Sequence, residues 1–262
     1  MENSSEKRPL ILITNDDGIT SAGICALAEA VIDLGDVYVV APDSPQSGMG
    51  HAVTIGGILR IKPAYFPVKG VTAHTTSGTP VDCVKLAIYK ILHRKPDLLL
   101  SGINHGSNSS INVIYSGTMS AAVEGAVESI PAIGFSLLDH AADADFSAAK
   151  IVARKMSMEV ISRGLPAGVC LNVNIPKLAP SDLKGLKICR QSAGYWTDSF
   201  DERNAPSGEV YYWLKGEFTN PDKGEDTDEW ALNNGYASIV PTQYDLTAHH
   251  AIANLNRWDL NE

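Results

Sequence analysis

A chain of 262 residues that is 44% hydrophobic and 19% charged can bury its own core without disulfides or a structural metal. A formal net charge of −9 argues against nonspecific attachment to nucleic acid or to an anionic membrane, although a bound cation would still let the chain hold a small anionic ligand. Cys25, Cys83, Cys170 and Cys189 form no CxxC pair, the start MENSSEKRP lacks the apolar centre of a signal peptide, and no apolar run approaches the ~18 residues of a membrane span. These absences predict a cytoplasmic protein with buried free thiols.

LILIT (10–14) reads as a strand buried on both faces, and it breaks off in Asn15-Asp16-Asp17-Gly18. A helix is predicted from Ser21 to about Leu34, with Ile24, Leu27, Ala28 and Val31 on one face. VYVVA (37–41) is the next strand and leads into the loop PDSPQSGMGH (42–51). Shorter strand-like pieces follow over 53–75, broken by Gly56, Gly57, Pro63, Pro67 and Gly70. Thr79 then caps a helix that has Pro80 at its first position and Asp82 in its first turn. LLLSG (98–102), IPAIGFS (130–136) and VCLNVNI (169–175) read as buried strands, separated by helices over 118–129 and about 146–163.

Strand and helix alternating in this way predict an α/β fold, a mainly parallel sheet with helices on both faces. Ligands of such sheets bind beyond the carboxyl ends of the strands, where strand order reverses. NDDG, DSPQS and GINHGSNSS all fall at those ends. After about residue 185 the texture changes to aromatic β segments and an acidic tract (222–229), and Trp196, Trp213, Trp230 and Trp258 all lie there. The predicted division is a core over 1–185 that carries the ligand-binding sheet edge and an aromatic-rich hairpin arm with a terminal helix over 186–262. Such an arm suits a homo-oligomer; the alternative is an arm folded back on its own core.

Asp16 and Asp17 are either a solvated turn or a cation site, and the stretch alone weighs the two equally. Neighbours on a regular strand face opposite ways, so the acids converge only if the chain turns, which Gly18 permits. Two carboxylates held together repel unless a cation lies between them. Oxygen donors at the same edge, Ser47 and Asn104, complete a set suited to Mg²⁺, Mn²⁺ or Ca²⁺, although spacing does not choose Ser47 over Ser44. Ser116, Gly117 and Thr118 open a helix whose first N–H groups could cradle an anion; an ordinary capped helix is the plainer reading, and TSGTP (76–80) is a weaker second case. His51 and His105 lie in the site loops as candidates for substrate contact or proton transfer, with surface or supporting positions the simpler expectation. There is no GxSxG elbow, no Walker A loop and no GxGxxG after the first strand.

ILITNDDGI, VVAPDSPQSGMGH, SGTPVDCVK, LLLSGINHGSN, YSGTMSAAVEG, LNVNIP and TDEWALNNGYASIVP, in this order, closely resemble the SurE-type (survival protein E) metal-dependent 5′-nucleotidases. The resemblance implies a Rossmann-like three-layer sandwich with a β-hairpin extension, homodimers or homotetramers, and one divalent cation per subunit. It further implies hydrolysis of nucleoside 5′-monophosphates, with Asp16, Asp17, Ser47 and Asn104 as metal ligands. Asn15, Asn108, Ser116, Gly117 and Thr118 would contact phosphate, and Asp16 and Asp17 would be catalytic. The family often has glycine and aspartate where this chain has Ser110 and Asn112. The chemistry expected is attack of a metal-activated water on phosphorus. The rivals are an aspartyl-phosphate route and a nucleotide-binding module that does not turn over.

Overall fold

The structure, a computed structural model, describes residues 8–260. β1 (Leu10–Thr14) is buried at every position, and its alternation divides the molecule. Ile11 and Ile13 point into one hydrophobic layer, Leu12 into the other. The first layer is filled by α1 (Ala22–Val31) and α4 (Ser147–Arg163), the second by α2 (Pro80–Leu86) and α3 (Gly117–Val127). Ala121, Ala122 and Ala126 give α3 the small face that lets a helix sit close to a sheet. Among the described residues no helix is long and apolar enough to cross a membrane.

β2 (Asp36–Pro42) and β5 (Leu98–His105) flank β1, both parallel to it. With β3 (Ile61–Pro63), β4 (Thr72–Thr76), β6 (Ala132–Leu137), β7 (Val169–Ile175), β8 (Gly185–Ile188) and β11 (Tyr236–Gln243), the order is β3-β4-β2-β1-β5-β6-β7-β11-β8. Only β3 on β4 and β11 on β7 run antiparallel in this sheet. The sheet is thus mainly parallel and Rossmann-like, and its order reverses at β1, so the NDDG turn lies at the switch point.

Predicted elements recur with shifted ends. α1 stops at Val31, because the chain turns there to bring the Asp36 N–H onto the Pro9 carbonyl (2.7 Å) and start β2. The Thr79 cap is a full capping box with Asp82, and a π turn (Ala87–Ile91) prolongs α2. β5 runs on to His105 after an irregularity in its pairing with β6 between Ser101 and Asn104, so Asn104 belongs to the strand rather than to a loop.

The last third is divided differently from the expected arm over 186–262. β11 and β8 extend the main sheet, with Ala237, Ile239 and Val240 buried. What stands off is an antiparallel hairpin of β9 (Tyr195–Asn204) and β10 (Val210–Thr219), a separate two-stranded sheet. α5 (Asp228–Asn233) packs beside β11, and α6 (His249–Leu255) buries none of its residues.

Candidate active site

The β1 strand ends in a turn that brings three side chains under cover. Gly18 adopts φ +93°, a conformation that glycine takes without a steric penalty. Asn15 donates both Nδ2 protons, to the Gly18 carbonyl (3.0 Å) and to Ser21 Oγ (2.8 Å), which fixes the turn against the start of α1. Its Oδ1 is buried with no hydrogen-bond partner. In this arrangement Asn15 offers a free acceptor, whereas a phosphate contact calls for a donor.

Asp16 is 4% exposed and meets the first turn of α3. Thr118 Oγ1 donates to Asp16 Oδ1 at 2.5 Å. Gly117 lies so close that a Cβ there would sit 2.7 Å from the Asp16 Cβ, so this position needs a residue without a side chain. Burial pushes the Asp16 pKa up to about 6; the Thr118 hydroxyl acts against that, and the neighbouring Asp17 charge adds to it. Burial also raises the Asp17 carboxyl, opposed by His105 through its charge and its backbone amide. Asp17 Oδ2 is buried without a partner. Two acids held against burial, one with an orphaned oxygen, form a site that a cation would relieve.

The other predicted ligands border this pair. Asn104 donates Nδ2 to the carbonyls of His105 and Gly106 (3.1 and 3.0 Å), leaving its Oδ1 as the open donor atom. Ser47 is exposed and follows Gln46, whose N–H donates to the Asp16 carbonyl at 2.7 Å. Ser44, the alternative, is engaged with Asp43 and Gln46, so Ser47 has the freer hydroxyl. Among the described residues no three His, Cys, Asp or Glu side chains converge as a metal group. A cation at this edge would draw on the two carboxylates and neutral oxygens, the donor set that hard divalent ions accept.

Ser116 caps α3 by accepting the Met119 N–H (3.0 Å), and the Ser120 N–H goes to the Ser116 carbonyl (3.0 Å). Asn108 is buried and held from below. Its Nδ2 donates to Ser136 Oγ (2.7 Å), its N–H to Asn174 Oδ1 (2.8 Å), and its carbonyl accepts Asn172 Nδ2 (2.8 Å). His105 stacks edge-on to Phe146 with its Nδ1 on the Asp139 carbonyl, and His51 pairs with Glu124, so both imidazoles are tied to supporting groups. The TSGTP stretch is accounted for by its capping box, whose Asp82 also binds Thr54.

Several supporting residues were not singled out from sequence. Asn172 and Asn174 lie two apart on buried β7, hence on one face, and that spacing was a readable signal. Asp228 and Glu229 carried none beyond an acidic tract.

A family model described as "Survival protein SurE" matches residues 11–198. The chain belongs to the SurE family. It is 61% identical to the "5′-nucleotidase SurE" of Flavobacterium psychrophilum over 97% of this chain and 99% of that protein. It is 44% identical to the protein of the same name from Phocaeicola vulgatus, over 97% and 98%. The crystal structure of a SurE protein from Aquifex aeolicus superposes with a TM-score of 0.81 at 38% identity, covering 95% of this chain and 98% of that one. The family likeness thus spans both the parallel sheet and the C-terminal hairpin.

Proposed function

We propose that this chain is a divalent-metal-dependent 5′-nucleotidase that hydrolyses nucleoside 5′-monophosphates to nucleoside and phosphate. The observation that carries the reading is the buried, unpartnered Asp17 Oδ2 beside Asp16, at the switch point and against the first turn of α3. A relative at 61% identity bears the name 5′-nucleotidase SurE.

Asp16, Asp17, Ser47 and Asn104 would hold one Mg²⁺, Mn²⁺ or Ca²⁺. When bound, the cation supplies positive charge for the phosphate and the two carboxylates and acidifies water. Thr118 fixes Asp16, and the rigid Asn15 turn fixes Asp17 beside it. The N-terminal end of α3 favours the negative charge that grows on the phosphoryl oxygens. Asp16 or Asp17 takes a proton from the attacking water as the water oxygen bonds to phosphorus; the ester P–O bond breaks, and the departing 5′ oxygen takes a proton from solvent to leave as the nucleoside hydroxyl. The asparagine network beneath Asn108 keeps the β5–α3 loop in one conformation, so the charges need no rearrangement during reaction.

We assign the protein to a homo-oligomer on its uncovered apolar surfaces: the hairpin exposes Phe200, Tyr212, Trp213 and Leu214, and α6 and its flanks expose Leu246, Ile252, Leu255 and Trp258.

The test is phosphate release from a panel of nucleoside monophosphates with Mg²⁺ or Mn²⁺, with chelator, and with Asp17→Asn. We expect metal-dependent release, at least about 100-fold lower in the variant, as for loss of an electrostatic group at the reacting centre. No release with any metal would overturn the enzyme reading, and ³²P trapped on the protein after acid quench would replace the water route with an aspartyl-phosphate.

A further inference from the structure

The segment between β5 and α3 binds the acids' neighbours on one side and the root of the hairpin on the other. Ser110 is 1% exposed and has φ +54°, a conformation disfavoured for a residue with a side chain. Its N–H donates to Asp228 Oδ2 at 2.7 Å. Its hydroxyl donates to the Ser192 carbonyl (3.1 Å) and accepts the Gly194 N–H (3.0 Å). Asp228 Oδ1 accepts the Ser192 N–H (3.0 Å), so one buried carboxylate spans the loop and the hairpin root. Two residues further on, Asn112 Oδ1 accepts Trp196 Nε1 at 2.7 Å, and Ser109 donates to the Glu229 carboxylate. Trp196 is itself held against Phe218 at 5.6 Å between ring centroids.

The same segment continues at one end into Asn108 and Asn104 and at the other into Tyr115 and Ser116, the cap of α3. Ser110 and Asn112 therefore face the arm, and any effect they have on substrate passes through the loop. A strained backbone at Ser110 persists because the surrounding hydrogen bonds over-determine it.

We propose that Ser110, Asn112 and Trp196 form a latch by which the hairpin root sets the position of the substrate loop, making them positioning residues for nucleoside monophosphate binding. This rests on the nucleotidase reading of the site. Trp196→Phe removes the indole donor and keeps a ring against Phe218. Asn112→Ala removes the acceptor, and Asn112→Asp keeps one. Ser110→Ala removes the hydroxyl and keeps the strained backbone, whereas Ser110→Gly relieves it.

The experiment measures kcat and KM for phosphate release in the full-length variants, with hydrogen–deuterium exchange over 106–116 as a readout independent of turnover. Trp196→Phe and Asn112→Ala are expected to raise KM about three- to tenfold, the effect of one lost hydrogen bond, with kcat within about twofold. Exchange over 106–116 accelerates in both, Asn112→Asp restores both quantities, and Ser110→Ala perturbs the loop more than Ser110→Gly does. Unchanged exchange overturns the latch. So does faster exchange at unchanged KM, or an equal loss of kcat in every variant. If the unmodified protein releases no phosphate, the nucleotidase reading fails, and the exchange rates still decide whether the latch exists.

Discussion

Asp16 is ionised at neutral pH against its surroundings, since burial lifts its pKa to about 6. The rise from 3.8 to about 6 corresponds to roughly 3 kcal/mol of disfavoured charge in the metal-free fold. Asp16→Asn keeps the acceptor for Thr118 and removes that charge. The variant is expected to lose phosphate release in the presence of Mg²⁺ or Mn²⁺ and, in chelator at pH 7.5, to unfold several degrees higher than the unmodified protein. An equal or lower melting midpoint would mean that the buried charge is already compensated within the fold. The pair was legible in the sequence because a strand buried on both faces has no local reason to end in two acids. The fate of each amide was not legible. Asn15 was expected to reach phosphate, yet its two donors are used within its own turn, and only the folded geometry of Gly18 and Ser21 reveals it.

At the scale of elements, α3 joins the parts of the site. Its first turn binds Asp16, and one face packs on the sheet. Further along, Glu124, with a side chain 4% exposed, takes Lys85 from α2 and His51 from the β2 loop. Burial acts to raise the Glu124 pKa, but the bonds to His51 and Lys85 outweigh it and leave the carboxyl below its usual 4.5. A depressed folded-state pKa stabilises the fold above about pH 4.5, and that contribution is lost as pH falls through the lower folded value. Glu124→Gln is therefore expected to cost about 1–3 kcal/mol in urea denaturation at pH 7, with the deficit shrinking below pH 4.5. A deficit independent of pH would show that the carboxylate's charge is not what holds the loop. Local periodicity foretold α3 and its small face, the Thr79 box and the run of parallel strands. It did not foretell that β11 lies between β7 and β8, since pairing between strands some sixty residues apart leaves no mark on either strand alone.

Across the whole molecule, the nine-stranded sheet and the helices on its two faces close the core, and the hairpin contributes nothing to the buried clusters. Alternation sorts the hairpin into two unlike faces. The cross-strand pairs Trp196–Phe218 and Phe200–Leu214, with Tyr212 and Val210 opposite Glu202 and Asn204, lie on one side. The other side carries Lys215, Asp201 and Arg203, joined by ion pairs, with Trp213 among them. Phe200 and Leu214 remain 68% and 64% exposed, and a two-stranded hairpin with such a face is marginal by itself in water. A second copy covering that face would remove the apolar surface and brace the root that grips Ser110 and Asn112. The double variant Phe200→Asp, Leu214→Asp places two charges on opposed positions of this face without touching the sheet or the root. It is expected to elute as a monomer of about 28 kDa in size-exclusion chromatography with light scattering, and the unmodified chain as the proposed dimer or tetramer. Its thermal midpoint at low protein concentration should move by no more than a few degrees, because the core lies between the main sheet and its helices, away from the hairpin. An unchanged oligomer would show that assembly runs through another surface, with α6 and its exposed Ile252 and Leu255 as the place to mutate next.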